Sequence, residues 1–467
     1  MPGFRALPGK AIKKGVFVSP GRITPRMRPA KERICDFKEV SLGYTEEEAV
    51  AEASRCLLCG ACVKGCPVGI DIPGFIKAIQ EKDFKRGYQI IKKHNLLPAI
   101  CGRVCPQEAQ CEAVCILGKK GDPINIGALE RFLADHHADE SIPRINENGH
   151  KAAIVGSGPG GLTAAFELRR AGFQVTVYEA LHELGGVLKY GIPGFRLPDD
   201  VVDREIETLK KMGVEFLTSF LIGKTLTIDE LLQNNDAVLI ATGAGLPGYL
   251  GIPGENGIGV LLANELLTRV NLMKAYDFPR YDTPVISGKK IVVIGGGNVA
   301  MDTARVSRRM GADVVICYRR EEKDMPARLE ERLHAKEEGI DFQVLTNPVE
   351  ILLNDEGRVR GMTLERMKIT GVADDGRSRI ASTKETFEIE TDVVVEAIGQ
   401  SPNKIIRENV EGLEFDKKGR IVVDENLKTT KDNVWAAGDI VSGAATVILA
   451  MGEAKEAARA IVEKFGG

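Results

Sequence analysis

The chain has 467 residues, a formal net charge of −3 at pH 7 and 43% hydrophobic residues, a composition typical of an ordinary globular protein. This length allows roughly three domains, and the near-neutral charge argues against a surface built for nucleic acid or membranes. No apolar stretch approaches the ~20 residues that span a bilayer, and no secretory signal is visible, which predicts a cytoplasmic protein.

Residues 1–33 form a basic segment with nine Lys or Arg and a single acid, Glu32. The segment shows neither a helical nor a strand period. Two interpretations stay open: a flexible, solvated arm, or an extended segment that lies on a partner subunit, as basic tails often do.

Residues 34–148 contain nine of the ten cysteines, which in a cytosolic chain indicates metal binding rather than disulfides. The first group has the ferredoxin spacing C-x2-C-x2-C-x3-C-P, in which three thiolates bind one iron–sulfur cluster and the fourth binds a second cluster. Its members are Cys56, Cys59, Cys62 and Cys66. The second group consists of Cys101, Cys105, Cys111 and Cys115. The spacing therefore predicts two clusters in one domain.

Zinc is the alternative, because zinc sites also use C-x2-C pairs, but two such pairs usually lie about 15–20 residues apart. Here four cysteines fall within residues 56–66, and this density favours iron–sulfur. Nine cysteines are one more than two four-cysteine clusters need, so at least one of them is not a ligand.

The rest of residues 34–148 is predicted to be helical. Thr45 and Glu48 have the spacing of a capping box, which predicts a helix that ends near Cys56. Residues 70–93 predict two helices separated near Asp83, and residues 123–130 open another helix.

Residues 149–285 begin with a strand–loop–helix–strand unit typical of dinucleotide binding. The glycine motif allows a tight turn, a close approach of the backbone to the pyrophosphate and close helix–strand packing. The helix N-terminus stabilises the phosphates, and the acid at the end of the second strand, Glu179, accepts from a ribose hydroxyl. This unit predicts an FAD site that comprises Gly156, Ser157, Gly158, Pro159, Gly160, Gly161 and Glu179, together with Gly186, Arg196, Thr242 and Gly243.

Residues 286–391 repeat this unit with a different ending. The third glycine position holds Ala300, a permitted variant, and the second strand ends in Arg319 and Arg320 instead of an acid. Two guanidiniums match a 2′-phosphate by charge and by forked geometry, which predicts NADP(H) rather than NAD(H); the alternative is a solvated surface pair. The predicted site comprises Gly295, Gly297, Asn298, Val299, Arg319, Arg320 and Gly399.

Residues 392–467 are predicted to return to the first nucleotide-binding domain. Residues 392–399 predict a buried strand and turn, and a later strand ends at Gly438 and Asp439. A helix over 444–460 begins near Thr446, with its N-terminus toward the flavin. Asp439 would then contact the ribityl or phosphate region of FAD; an ordinary turn or N-cap aspartate is the alternative.

The predicted fold class is α/β. An N-terminal α-helical iron–sulfur domain precedes two Rossmann-like GxGxxG domains. The FAD-binding domain is discontinuous, 149–285 and 392–467, and the NADP(H)-binding domain, 286–391, is inserted in it.

From about residue 34 to its end the chain resembles the glutamate synthase small (β) subunit family, which is close to the large subunit of the electron-bifurcating, NADH-dependent reduced ferredoxin:NADP oxidoreductase. The same module occurs at one end of dihydropyrimidine dehydrogenase. The motifs that carry the resemblance are Cys-Gly-Arg-Val-Cys-Pro at 101–106, Pro-Ile-Asn-Ile-Gly at 123–127, Tyr-Gly-Ile-Pro at 190–193 and Ala-Ala-Gly-Asp at 436–439.

The resemblance implies an assignment of two [4Fe–4S] clusters that the spacing alone does not give. One cluster would be bound by Cys56, Cys59, Cys62 and Cys115. The other would be bound by Cys66, Cys105, Cys111 and a non-cysteine ligand, Glu130. Cys35 and Cys101 are then not ligands. The gap between Cys59 and Cys62 is shorter than is usual in the family and equals the ferredoxin spacing.

The resemblance also implies a function: hydride exchange between NADP(H) and FAD, and transfer of electrons through both clusters to or from a ferredoxin-linked partner subunit, in the manner of a bifurcating transhydrogenase. The alternative is the small subunit of NADPH-dependent glutamate synthase, which supplies a large amidotransferase subunit. Hydride transfer demands no general acid or base, so no catalytic residue is named. A thioredoxin-reductase-like enzyme would need a C-x-x-C in a nucleotide domain, where Cys317 stands alone. Two intact fingerprints argue against vestigial nucleotide sites.

Overall fold

The computed structural model describes residues 21–137, 144–285 and 288–465. Positions 1–20 of the predicted basic arm lie outside the described residues. Residues 21–33 contact other parts of their own chain: Arg22 and Ile23 bond to the helical domain, and Arg33 pairs with Glu337 and Glu338, while several other residues of this stretch are exposed. The Arg22 guanidinium pairs with Glu112 at 2.7 Å, and the backbone N–H of Ile23 donates to Glu52 at 2.9 Å.

The N-terminal domain is helical, as predicted. Its α-helices are α1 (Ala30–Arg33), α2 (Glu46–Ser54), α3 (Ile72–Gln80), α4 (Phe84–Lys92), α5 (Pro98–Val104) and α6 (Ile126–His136), and short 3₁₀ turns lie at Ala61–Gly65, Gln107–Ala109 and Ile116–Lys119.

Side-chain caps explain two of the predicted helix starts. In the capping box of α2, Thr45 Oγ1 accepts from Glu48 N at 3.3 Å and Glu48 Oε2 accepts from Thr45 N at 2.8 Å. Asp83 Oδ1 accepts from Arg86 N and so starts α4, which confirms the predicted break between α3 and α4.

The first nucleotide sheet is parallel and has the strand order β15-β4-β1-β2-β3. Its strands are β1 (Lys151–Val155), β2 (Gln174–Tyr178), β3 (Glu215–Leu217), β4 (Ala237–Ile240) and β15 (Val434–Ala436). The helices of this part of the chain are α7 (Pro159–Arg170), α8 (Val187–Tyr190), α9 (Asp199–Lys211), α10 (Ile228–Asn234), α14 (Lys404–Asn409), α15 (Asp439–Ser442) and α16 (Val447–Phe465). The strand from the C-terminal segment lies at the sheet edge, so this sheet is built from two separate stretches of chain.

The second nucleotide sheet is also parallel, with the order β6-β13-β7-β8-β9. Its strands are β6 (Val260–Leu262), β7 (Lys290–Ile294), β8 (Asp313–Tyr318), β9 (Asp341–Val344) and β13 (Val393–Glu396). Helices α11 (Ala263–Leu267), α12 (Asn298–Arg309) and α13 (Leu329–Glu337) belong to this part, with a π-helical turn at Thr268–Leu272 and 3₁₀ turns at Ala275–Asp277 and Glu322–Asp324.

Two strands therefore lie in a different sheet from the one predicted. Residues 260–262 and 393–396 fall within the predicted bounds of the FAD-binding domain, yet their strands, β6 and β13, pair within the second sheet. The chain passes between the two sheets at a short antiparallel ladder of β5 (Leu246–Pro247) and β14 (Gln400–Ser401). The physical reason is that strands buried in a parallel sheet are apolar throughout, so their sequence does not reveal which sheet they join.

An antiparallel sheet extends the second nucleotide unit and was not predicted. Its strands are β10 (Thr346–Leu353), β11 (Val359–Val372) and β12 (Ser378–Glu390), in the order β10-β11-β12. Ser378, at the start of β12, donates its backbone N–H to Asp324 at 3.2 Å and its hydroxyl to Glu321 at 2.8 Å. These bonds attach the hairpin next to the end of β8.

One continuous apolar core joins the helical domain to the first nucleotide sheet. Phe75 and Leu129 of the helical domain, Leu162 of α7 and Met451 of α16 are all fully buried in it. Helix α16 contacts the helical domain, because a Cβ at Gly452 would lie 3.0 Å from the carbonyl oxygen of Pro67. In the described part of the chain no helix is long and apolar enough to cross a bilayer.

Candidate functional site

The first glycine loop has the close contacts that the motif predicts. Gly156 has φ +106°, and a Cβ there would lie 2.5 Å from the carbonyl oxygen of Ala241; at Gly161 it would lie 1.9 Å from the carbonyl oxygen of Gly156. Only glycine fits these two positions. The loop connects β1 to α7, so backbone N–H groups at the start of α7 are available to a phosphate.

Glu179, at the end of β2, is buried and holds this loop in place. Its Oε2 accepts from the backbone N–H and the hydroxyl of Ser157, at 2.9 and 2.5 Å. The Ser157 hydroxyl also accepts from the N–H of Gly185 at 3.0 Å. A carboxylate oxygen has further lone pairs, so Glu179 can still accept from a ribose hydroxyl.

The other residues predicted for this site lie around the same loop, except for Arg196. Strands β1, β4 and β15 are adjacent and parallel, so the turns at 156–161, 242–243 and 438–439 share one edge of the sheet. A Cβ at Gly186 would lie 3.0 Å from Gly158 Cα, and one at Gly160 would lie 3.4 Å from the carbonyl oxygen of Ala450 in α16. Thr446 immediately precedes α16, and its hydroxyl accepts from Leu449 N at 3.3 Å.

Asp439 lies on this edge of the sheet and is partly buried. Burial raises its pKa to about 6, and its Oδ1 accepts from Ala445 N at 3.2 Å. The phenol of Tyr190 is buried nearby, and burial together with the charge of Asp439 raises its pKa to about 12. Asp439 therefore has the position expected of a group that contacts FAD, although part of its role is that of a turn aspartate.

Arg196 differs from the prediction that it contacts FAD. Its Nη1 lies 2.6 Å from Asp302 in α12, and its Nε lies 2.9 Å from Glu331 in α13. Both carboxylates belong to the second nucleotide unit, and Glu331 also pairs with Arg305, so Arg196 is a buried ion-pair residue between the two units.

The second glycine loop repeats the geometry of the first. Gly295 has φ +143°, and a Cβ there would lie 2.3 Å from the carbonyl oxygen of Ala397. Gly297 precedes α12, and Asn298 and Val299 form its first turn. Gly399 follows β13 with φ +118°. Since β13 and β7 are neighbours, Gly399 lies at the same edge as the loop.

Arg319 and Arg320 follow β8 and differ in their surroundings. Arg319 is exposed, and no ion pair or hydrogen bond of its side chain occurs within the described ranges. Arg320 is half-buried, and its Nε donates to the carbonyl oxygen of Ser378 at 3.1 Å. Both guanidiniums therefore keep donors for a 2′-phosphate, and Arg319 has all of them.

Glu396, at the end of β13, forms a buried acid pair with Glu255 that the sequence did not suggest. The N–H of Leu250 donates to both, at 2.5 Å to Glu255 and 3.3 Å to Glu396. Burial, and then the neighbouring charge of Glu255, raises the pKa of Glu396 from 4.5 to about 8. The folded protein therefore loses stability relative to the unfolded chain as pH rises from about 5 through 8.

The variant Glu396→Gln should remove this loss. At pH 9 we expect it to stabilise the protein by on the order of 3 kcal/mol, and near pH 5, where Glu396 is protonated, by little. Thermal unfolding midpoints at both values measure this difference. Glu390→Gln, which changes an exposed carboxylate paired with Lys290, is the control; an equal gain at both pH values would contradict the assignment.

The first four cysteine ligands implied by the resemblance line one cavity. This hollow is otherwise mainly apolar, and its cysteines are Cys56, Cys59, Cys62 and Cys115. Burial raises the pKa of Cys62 to about 12, so a thiolate here needs a nearby cation. A cavity lined by four such thiols fits an iron–sulfur cluster.

The second set is also brought together, from three stretches of chain. Cys105 and Cys111 are buried, as is Glu130 of α6, and Cys66 is partly buried. Burial is the largest cause of the raised pKa values of Cys66 and Cys111, and a hydrogen bond with Cys101 is the largest cause for Cys105. The charge of Glu130 raises all three pKa values further. Burial raises the pKa of Glu130 to about 8, so this donor set also favours a bound cation.

Two neighbours of this second set, Asn95 and Met451, were not recognised in the sequence. Asn95 donates to Glu130 Oε1 at 2.7 Å. The Cys101 sulfur lies 3.8 Å from Asn95 Oδ1 and 3.7 Å from Met451 Sδ. Isolated Asn and Met residues carry no motif, so no sequence signal could have found them.

Within the described ranges, no three His, Cys, Asp or Glu side chains are close enough to bind a single metal ion. The four ligands of a [4Fe–4S] cluster bind separate irons and so lie farther apart than the ligands of one ion.

Two family profiles match the chain. That of the pyridine nucleotide-disulphide oxidoreductases covers residues 150–455. That of dihydropyrimidine dehydrogenase domain II, 4Fe-4S cluster, covers residues 33–142. The second match corresponds to the helical domain with its two cysteine groups.

Similar proteins include two curated relatives and a solved structure. The glutamate synthase [NADPH] small chain of Escherichia coli is 34% identical over 96% of this chain and 98% of its own. The NADP(+)-dependent formate dehydrogenase subunit beta of Moorella thermoacetica is 36% identical over 86% of this chain and 59% of its own. Mycobacterium tuberculosis FprA in complex with NADPH has a TM-score of 0.58 and 22% identity, over 68% of this chain and 85% of that one, a likeness of fold alone.

Proposed function

Because the chain belongs to the glutamate synthase [NADPH] small-chain family and to the pyridine nucleotide-disulphide oxidoreductases, we propose that it exchanges a hydride between NADP(H) and FAD and relays electrons through two [4Fe–4S] clusters to a partner subunit. Family membership confirms the resemblance, the fold class and an NADP(H)-dependent flavoprotein with a 4Fe-4S domain. The number of clusters, their ligands and the partner are proposals.

Each site has its own task. FAD and the clusters supply the redox chemistry when bound, since they interconvert a two-electron hydride and single electrons. The loop 156–161, with Glu179 and Asp439, would bind and orient FAD. The loop 295–299, with Arg319 and Arg320, would bind the pyrophosphate and 2′-phosphate of NADP(H).

The observation that carries the proposal is that helix α16 contacts both the first glycine loop and the cysteine domain. Its first turn lies against the first glycine loop, since Ala450 contacts the positions of Gly160 and Gly438. One residue later, Met451 contacts Cys101, and a Cβ at Gly452 would contact Pro67, which follows Cys66. Because the helix rises about 1.5 Å per residue, the residues of α16 that contact the first glycine loop and those that contact the cysteine domain lie within one helical turn of each other.

An anaerobic titration of the full chain, loaded with FAD and clusters, tests the proposal. We expect NADPH to bleach the flavin absorbance at far lower concentration than NADH does. We also expect iron and acid-labile sulfide to match two [4Fe–4S] clusters. A chain that holds FAD but is reduced equally by both nucleotides, or that holds zinc, would contradict the proposal.

The partner would dock beside the first cysteine cavity. Cys59 is exposed there, and the exposed side chains of Leu57, Val114 and Ile116 form an apolar rim next to Cys56 and Cys115. Both matched relatives bear subunit names from multi-subunit enzymes, which supports a partner for this chain.

Two partner classes are proposed, because the relatives differ in name at similar identity. A large amidotransferase is supported by the full-length match to glutamate synthase small chains. A ferredoxin-linked flavoprotein would make the chain a transhydrogenase subunit, with bifurcation as a further step. Purifying the native complex distinguishes them: a very large subunit that makes glutamate from glutamine and 2-oxoglutarate excludes the second class, and a small flavin- and [2Fe–2S]-containing subunit excludes the first.

A further inference from the structure

Arg328 is a 9% exposed arginine between the second glycine loop and the second cysteine set. We infer that it is a positioning residue that couples occupation of the NADP(H) phosphate loop to the reduction of the cluster bound by Cys66, Cys105, Cys111 and Glu130. The inference rests on the proposed function and adds to it a means by which one site regulates the other.

On the nucleotide side, the backbone around Arg328 is bonded to the loop itself. The N–H of Arg328 donates to Asn298 Oδ1 at 2.9 Å, and the N–H of Ala327 donates to the carbonyl oxygen of Gly296 at 3.1 Å. Asn298 is the first residue of α12. A pyrophosphate bound at this helix start therefore acts directly on residues that hold Arg328.

On the cysteine side, the guanidinium reaches the segment that carries Cys105 and Cys111. Nη1 donates to the carbonyl oxygen of Arg103 at 2.9 Å, and Nη2 donates to Gln107 Oε1 at 3.1 Å. Nε lies 3.4 Å from Glu108 Oε1. Arg103 lies two residues before Cys105, and Gln107 and Glu108 lie two and three residues after it.

Gln107 connects Arg328 to two further segments that carry cysteines. Its Nε2 donates to the carbonyl oxygen of Cys101 at 3.0 Å, and its own carbonyl oxygen accepts from Glu112 N, next to Cys111, at 2.9 Å. The side chain is tightly packed, since a Cβ at Gly127 would lie 2.3 Å from Nε2. A displacement of Arg328 would therefore move the chain both at Cys101 and at Cys111, because Gln107 has no room to adjust on its own.

The direction of the coupling follows from charge. NADP⁺ brings a negatively charged pyrophosphate to the loop, and reduction adds a negative charge to the cluster. A pyrophosphate at the start of α12 pulls the Asn298-bound backbone of Arg328 toward the loop and so weakens the hold of its guanidinium on the acceptors around Cys105. This moves positive charge away from the cluster and disfavours its reduction, and by linkage the effect on affinity equals the effect on reduction. The coupling therefore favours release of NADP⁺ once the cluster is reduced.

The test is an EPR-monitored redox titration of the loaded full chain with and without NADP⁺, followed at the cluster signal that Glu130→Ala alters. In the wild type we expect NADP⁺ to lower the midpoint potential. A shift of about 59 mV would correspond to tenfold weaker NADP⁺ binding to the reduced form.

Arg328→Lys keeps the charge but cannot reach all of these acceptors, so we expect it to lose most of the shift while FAD and iron contents stay normal. Arg308→Lys is the matched control. Arg308 also donates to backbone carbonyls, those of Glu338 and Ala312, but among the described residues its side chain has no hydrogen bond or ion pair to the helical domain, so this variant should keep the shift. If Arg328→Lys does not fold, Gln107→Met removes the same bond from the other side and should lose the shift too.

No shift in the wild type, or an undiminished shift in Arg328→Lys or Gln107→Met, would overturn the inference. Neither outcome touches the proposed function, which fails only if NADPH does not reduce the flavin preferentially or if the clusters are absent.

Discussion

Replacing Arg319 and Arg320 together by alanine is expected to lower kcat/KM for NADPH by about 100-fold or more, and to leave that for NADH almost unchanged. A hydrogen bond to a charged group contributes about 1.5–3 kcal/mol, and every 1.4 kcal/mol is about tenfold, so two guanidiniums account for this effect. Steady-state rates with both nucleotides and an artificial electron acceptor measure it.

Single substitutions should differ, because Arg320 already donates to the carbonyl oxygen of Ser378, whereas the Arg319 side chain makes no hydrogen bond or ion pair with any residue that the structure describes. Arg319→Ala is therefore expected to have the larger effect. Arg366→Ala, which changes an exposed arginine of β11 paired with Glu385, serves as control. Equal losses with NADPH and NADH in the double variant would show that these arginines do not bind the 2′-phosphate.

Replacing Glu130 by alanine is expected to remove or convert one of the two clusters. Its carboxyl is buried, accepts from Asn95 and is close enough to Cys66, Cys105 and Cys111 for its charge to raise their pKa values, and alanine offers no oxygen to replace it. Iron analysis and EPR of the reduced protein measure the change. Because burial raises its pKa to about 8 and a ligand must be deprotonated, assembly of this cluster should be weaker at pH 6 than at pH 8.5.

Glu130→Cys would supply a fourth thiolate and should keep a [4Fe–4S] cluster, with a different potential because the ligand has changed. Glu205→Ala is the control, because it also removes a buried carboxylate, one paired with Lys92 at 2.8 Å. Among the described residues Glu205 has no hydrogen bond to a cysteine, so this variant should leave both EPR signals unaltered. Two unaltered signals in Glu130→Ala would refute the assignment of Glu130 as a ligand.

Local patterns in the sequence were sufficient for the fold class, and they located the glycine loops and the cysteine groups, whose ligand assignments stay predictions. The capping box at Thr45 started α2, and both glycine loops have the close contacts that their glycines predicted. These features depend on neighbours within a few residues, or on one backbone conformation, and the residue types record them directly. The ferredoxin spacing likewise indicated cysteines that share a cavity.

The tertiary structure alone decided which distant segments meet. β6 and β13 joined the second sheet, Arg196 paired with Asp302 and Glu331, and Arg328 connected the second glycine loop to Gln107. A buried apolar strand or an isolated arginine has the same sequence whichever partner it finds, because pairing in parallel sheets and across domains is set by the packing of the whole chain. The sequence thus determined what each segment is, and the fold determined what it contacts.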